Sequence, residues 1–183
     1  RVFGEEVQIN SPKEAIGLGI GMVHQHFMLA PSLSTLQNII LGNQPQNGPF
    51  IDLKTARKKV NEILDKYHFQ LDLDANVNQL SVGQMQRIEI VKALYRGAKI
   101  LILDEPNSAL DAISERNLFT GISKLGDGKI TIFISHRLSA SKFCDKIYVF
   151  NNGQITESGS FSDLMRSTSV FHSLYNIQSD YYK

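Results

Sequence analysis

The sequence predicts an α/β fold, in which a parallel sheet core is interrupted by a mostly helical insert. Three observations predict it. Ile100-Leu101-Ile102-Leu103 is an unbroken apolar run, and Ile130-Thr131-Ile132-Phe133-Ile134 is a second run of similar length. Runs this short and unalternated read as buried parallel strands. Ala56, Val60, Ile63, Leu64 and Tyr67 instead recur at helical spacing, and residues 32–95 read as a mostly helical insert between two pieces of the core.

Taken in order, residues 1–9 alternate around Gly4 and predict an edge strand. Ser11-Pro12-Lys13-Glu14 is a helix start, with Ser11 as N-cap, Pro12 at the first helical position and Glu14 completing a capping box. Gly17 and Gly19 end that helix, and Ile20 to His24 form a short strand that delivers Gln25. Pro31 to Gly48 is punctuated by Pro, Gly, Asn and Ser around a short helix from Leu36 to Leu41. Asp52 caps the next helix, whose Ala56, Val60, Ile63, Leu64 and Tyr67 share one face. Arg57, Lys58, Lys59, Glu62 and Asp65 opposite them read as a solvated surface. Ser81 and Gln84 make a second capping box.

After the first strand run, Asp111 starts a helix over residues 112–125. The second run ends on Ser135-His136, and Asn151-Asn152-Gly153 marks a hairpin turn. Two short amphipathic helices fill residues 161–182. The expected organisation is therefore an α/β core from residues 1–31 and 96–160, a helical subdomain at 32–95 and C-terminal helices at 161–183.

A chain of 183 residues is long enough to bury a core as one domain. Lys+Arg of 19 against Asp+Glu of 18 leaves a formal charge of +1, so no general field for nucleic acid is implied. No window approaches 18 apolar residues, and neither a membrane span nor a signal peptide is expected. The single Cys144 excludes an internal disulfide framework and suits a reducing compartment.

Chemistry concentrates where the first run ends on Asp104 and Glu105. Ligands of open α/β sheets bind beyond the carboxyl ends of the strands. One acid there can hold Mg²⁺ while its neighbour polarises a water. Asp-Glu-Pro alone reads as a strand ending in solvent; its setting between Leu80-Ser81-Val82-Gly83-Gln84 and Ser108-Ala109-Leu110-Asp111 reverses that reading. A capped helix N-terminus at Ser81 suits a phosphate, and Gly83 lets the backbone come close. A neutral His136 imidazole can donate to a phosphate oxygen, although a lone strand-end histidine is more often structural. His24 and His26 share a strand face, but the other histidines, at 68, 136 and 172, supply no third ligand at metal spacing.

The order LSVGQ, ILILDE, SALD and then His136 resembles the ATP-binding domain of ABC transporters, across essentially the whole chain. The resemblance implies a P-loop NTPase-like (RecA-like) core with a helical subdomain insert. LSVGQ corresponds to the signature motif, ILILDE to Walker B, SALD to the D-loop, His136 to the switch histidine and Gln25 to the Q-loop residue. It implies ATP and Mg²⁺ as cofactors, with Asp104 and Gln25 on the metal. Glu105, Gln25 and His136 would be catalytic, and Ser81, Val82, Gly83, Gln84 and Asp111 would bind the nucleotide. Without that context Gln25 reads as a buried structural amide.

The partners implied are a second ATP-binding domain, identical or not, and transmembrane permease subunits that hold the chain at the cytoplasmic face of the membrane. No nucleic acid is expected. DNA-repair and chromosome-condensation ATPases share the signature but need long heptad arms, and residues 26–79 hold none.

Two departures qualify the resemblance. The sequence contains no G-x-x-x-x-G-K-[ST], the loop that cradles phosphates. The usual plan places it before Arg1, so the expectation is a core lacking its N-terminal part, with the sequence starting at least one βαβ unit late. An alternative function follows, a non-catalytic partner that lends its signature motif to another ATPase subunit. Residues 10–103 resemble importers of simple sugars and nucleosides, whereas residues 107–183 resemble exporter cassettes, with Asn107 standing where Thr is usual. A fragment, a natural recombinant and an engineered chimera all fit that pattern.

Overall fold

A computed structural model describes residues 1–107, 110, 112–123, 128–166 and 168–181. The chain forms two compact units, residues 1–134 and 135–183.

In the first unit the expected edge strand is replaced by a tight turn. Val2 and Glu5 exchange two backbone hydrogen bonds around Phe3 and Gly4, which both have positive φ. Two positive φ values in succession make a closed reversal, so the alternating residues never extend into a strand. Helix α1 (Pro12–Gly17) starts as expected, with the Ser11 hydroxyl accepting from the Glu14 amide. The Glu14 carboxylate, however, accepts from the Asn10 amide at 2.8 Å rather than from the Ser11 amide.

Strand β1 (Ile20–Val23) follows, then α2 (Thr35–Ile40), capped by a complete Ser34/Gln37 box. A two-residue ladder, β2 (Gln46–Asn47) with β3 (Phe50–Ile51), was not legible in the sequence because each strand is too short to show a period. Helix α3 (Leu53–Tyr67) has its Asp52 cap and buries Ala56, Val60, Leu64 and Tyr67. Helix α4 (Val82–Tyr95) runs through the middle of the unit, and nine of its residues are buried. Strand β4 (Ile100–Asp104), α5 (Ala112–Ser123) and β5 (Ile130–Ile134) complete it.

The sheet order is β1-β4-β5, parallel throughout, with Val23 beside Leu103 and Leu103 beside Phe133. Side chains alternate across a strand, so Gly21, Val23, Leu101, Leu103, Thr131 and Phe133 share one face. That face is covered. The approach of α4 to β1 is close enough to need glycine: a Cβ on Gly21 would stand 2.9 Å from the Ala98 methyl and 3.1 Å from that of Ala93. Phe119 of α5 meets Phe133 with ring centroids 5.3 Å apart.

The opposite face carries Ile20, Met22, Ile100, Ile102, Ile130, Ile132 and Ile134, and it is open. Met22, Ile130, Ile132 and Ile134 are 43–53% exposed. The apolar run implied cover on both faces, and this unit supplies cover on one.

In the second unit β6 (Ile147–Asn151) and β7 (Gln154–Gly159) form the expected hairpin, with positive φ at Asn152 and Gly153. Helices α6 (Phe161–Arg166) and α7 (Val170–Tyr181) follow. The Phe161 ring sits 6.1 Å from Phe171 and 5.1 Å from Tyr175, edge-on to both. The Glu157 carboxylate of β7 accepts from the amides of Val170 (2.7 Å) and Phe171 (3.0 Å), at the N-terminus of α7. A carboxylate at that end satisfies two otherwise unpaired donors and complements the helix dipole. Among the described residues no helix is long and apolar enough to cross a membrane.

Candidate functional site

Strand β4 places its two acids differently. Asp104 pairs in register with Ile134 and, by alternation, lies on the open face with Ile100 and Ile102. Glu105 leaves the strand with φ 47, while its amide donates to the Ile134 carbonyl at 2.8 Å. A non-glycine residue in the left-handed region costs about 1–3 kcal/mol and persists only where its surroundings enforce it. Here the hydrogen bond to Ile134 holds one side of the residue. On the other, the Gln86 side-chain amide donates to the Pro106 carbonyl.

Gln25 stands on the loop after β1 and is exposed, unlike a buried structural amide. It lines a cavity of about 10 Å³ together with His24, Val82, Gln86, Glu105 and Pro106, enough for roughly one water. Gln86 is 2% exposed. The structure thus brings Gln25, Val82 and Glu105 to one small space and leaves Asp104 outside its lining.

The N-terminus of α4 has the geometry its sequence predicts. The Ser81 hydroxyl accepts from the Gln84 amide at 3.3 Å, and Gln84 Oε1 accepts from the Ser81 amide at 2.9 Å. Both halves of the box are made. The amides of Val82 and Gly83, at the first two helical positions, have no intrahelical acceptor. Ser81 is exposed, so this end of the helix is accessible to an anion.

His136 belongs to the second unit and is exposed. Its backbone segment is held from α7. Gln178 donates to the His136 carbonyl at 2.7 Å and accepts from the Leu138 amide at 2.9 Å. Asp111 lies outside the described residues.

Among the described residues no group of three or more His, Cys, Asp or Glu side chains could hold a metal. His24 and His26 are both exposed. A single carboxylate such as Asp104 suits Mg²⁺, because that ion keeps several waters and takes its remaining ligands from phosphate oxygens.

Sequence reasoning missed three side chains that hold this region together. Gln86 is one. Glu89 and Lys92 are the others, both buried in α4 and both bonded to the backbone of Met28, three residues beyond Gln25. Their signal was present in Ile88-Glu89-Ile90-Val91-Lys92-Ala93-Leu94, two charges inside an otherwise apolar run. A groove of about 700 Å³ is lined by Gln25, Phe27, Leu29, Pro31, Val77, Leu80, Val82 and Met85.

Comparison with known proteins shows the family. The family model described as ABC transporter matches residues 2–108. The chain is 43% identical over 164 residues to the nucleoside import ATP-binding protein NupA of Lactococcus lactis, covering 88% of this chain and 32% of that protein. It is 45% identical over 156 residues to the guanosine import ATP-binding protein NupO of Bacillus subtilis, covering 84% and 31%. It thus spans about a third of the length of these curated relatives. Among solved structures it resembles a bacterial Atm1-family ABC exporter with ATP bound, with a TM-score of 0.70 at 26% identity, covering 88% of this chain and 29% of that one. It also resembles a dimeric ATP-binding cassette in a post-hydrolysis state bound to ADP and Pi, with a TM-score of 0.62 at 28% identity, covering 77% and 62%.

Proposed function

Because the chain belongs to the ABC transporter family of ATP-binding domains, we propose that it pairs with a second such domain around ATP and so energises a transporter. The observation that supports this most is the accessible, box-capped N-terminus of α4 beside the cavity that Gln25 and Glu105 share. Bound ATP with Mg²⁺ supplies the phosphoryl group that passes to water. Ser81, Val82, Gly83 and Gln84 bind the phosphate oxygens of the ATP held by the partner domain, through hydroxyl, amide and side-chain donors at the positive end of the helix dipole. Asp104 and Gln25 act as metal ligands, and Asp111 binds the nucleotide. Glu105 accepts a proton from a water in the shared cavity, Gln25 orients that water, and His136 donates to the phosphate. The chain works at the cytoplasmic face of the membrane, bound to permease subunits. The import relatives favour sugars or nucleosides as cargo.

A second reading rests on the same helix end. Lending Ser81–Gln84 to the ATP of another subunit needs a capped helix and a close-approaching glycine, and no catalysis by this chain.

Both readings are tested by mixing the chain with an intact related cassette whose own signature serine is mutated. ATP-dependent association in sedimentation and restored hydrolysis are expected. Ser81→Arg should abolish both, by placing bulk where the phosphate sits. Glu105→Gln separates the readings, since it leaves lending intact. Absence of any restoration by a chain shown to be folded overturns both.

A further inference from the structure

Glu89 and Lys92 form an ion pair, 3.7 Å apart, on the buried side of α4. They are 9% and 8% exposed. Taking two charges out of water costs several kcal/mol per ion, and a well-packed apolar pair often stabilises a core as well or better. Stability therefore does not account for them. Their contacts do.

Glu89 Oε1 accepts from the Met28 amide at 3.0 Å, and Lys92 Nζ donates to the Met28 carbonyl at 3.3 Å. Two side chains of one helix thus take both polar groups of a single peptide residue, as a neighbouring strand would. Two residues on, Asn38 of α2 does the same for Ala30, accepting from its amide at 2.8 Å and donating to its carbonyl at 3.1 Å. The Met28 side chain is 71% exposed, so packing of that side chain does not hold the segment. No apolar pair could reproduce this grip.

We propose that Glu89 and Lys92 are positioning residues that fix the Gln25 segment to the helix behind Ser81–Gln84. The proposal deepens the functional reading above and rests on it for its consequence: an anion seated at Ser81 moves or stiffens Gln25 through one rigid helix. Tension at the phosphate end of α4 reaches Met28 along the unbroken helix between Val82 and Lys92.

The test uses amide hydrogen exchange on the 183-residue chain, first without nucleotide. Glu89→Met/Lys92→Met replaces the pair by apolar side chains of similar length. The Met28 amide should exchange at least about tenfold faster, while α3, β4 and the thermal midpoint stay as in the parent. Unchanged protection at Met28 overturns the proposal, and so does a loss spread evenly over α3 and β4. If the double variant does not fold, Glu89→Asp keeps the charge but withdraws the acceptor. Faster exchange confined to residues 25–30 is then expected, and its absence overturns the proposal.

A second arm adds the signature-mutated cassette and ATP. In the parent both Ser81–Gln84 and residues 25–30 should gain protection. In the double variant only Ser81–Gln84 should. An equal response of residues 25–30 in both chains overturns the link. If the parent itself neither associates nor responds, the functional reading fails, and the nucleotide-free result still decides the grip on Met28.

Discussion

Glu105 sits where two demands conflict. Its carboxylate is the proposed base, yet its backbone occupies a region that favours glycine. A substitution series separates the two. Glu105→Gly should melt several degrees above Glu105→Val, because a β-branched side chain at positive φ adds strain of about 1 kcal/mol or more. Both should lose any hydrolysis attributed to the carboxylate. Equal melting temperatures would show that the backbone is not held in that conformation. The sequence offered no sign of this strain, since Asp-Glu-Pro specifies a strand end but not the torsion angle beyond it. The exposure of Gln25 was equally hidden, because it depends on a loop path set by Asn38 of α2 and by Glu89 and Lys92 of α4, bonded to the loop across 8, 61 and 64 residues of chain.

At the scale of elements, local rules were legible and long-range ones were not. The caps at Ser11, Asp52 and Ser81 formed because each depends on residues three apart. The Asp52 cap has a consequence in pH. The Thr55 hydroxyl, at 2.6 Å, and then the Thr55 amide hold the Asp52 carboxyl below its ordinary value of 3.8. A depressed folded pKa contributes stability that is complete above the unfolded value and is lost as pH falls through the folded one. The thermal midpoint should therefore drop as pH falls below about 4. Asp52→Asn, which caps without titrating, should flatten that part of the profile. An identical acid limb in both chains would assign the loss to other depressed carboxylates, Asp74 beside Arg57 and Asp163 beside Ser160. Helix α4 shows the opposite case: the sequence places its charges at 89 and 92 inside an apolar run, but not the segment at Met28 whose backbone they hold.

For the whole molecule, the open sheet face dominates. The sequence correctly implied parallel strands at 100–104 and 130–134, because apolar runs carry that information. A core expected to lack its first βαβ unit implied that one face of these strands would stay apolar and exposed; which face that is depends on elements packed in three dimensions. A row of isoleucines from two adjacent strands, half in water, favours self-association. Light scattering of the chain should show concentration-dependent growth, reduced by Ile132→Lys, whose charge faces solvent rather than the core. A monodisperse parent with a concentration-independent melting transition would argue against it. Burial also slows the chemistry of Cys144, whose thiol is pushed up by its surroundings and then by Asp145. Alkylation at neutral pH should be slow while the second unit is folded.

The two hydrogen bonds that Glu157 accepts from the start of α7 make the C-terminal helix a clasp rather than a trailing end. A protease that nicked the link between α6 and α7 would leave the hairpin with an idle carboxylate and strip Phe161 of both aromatic neighbours. Trimming the tail is therefore expected to loosen the hairpin too. A shortened gene ending before Val170 should yield a second unit that digests from both ends at once.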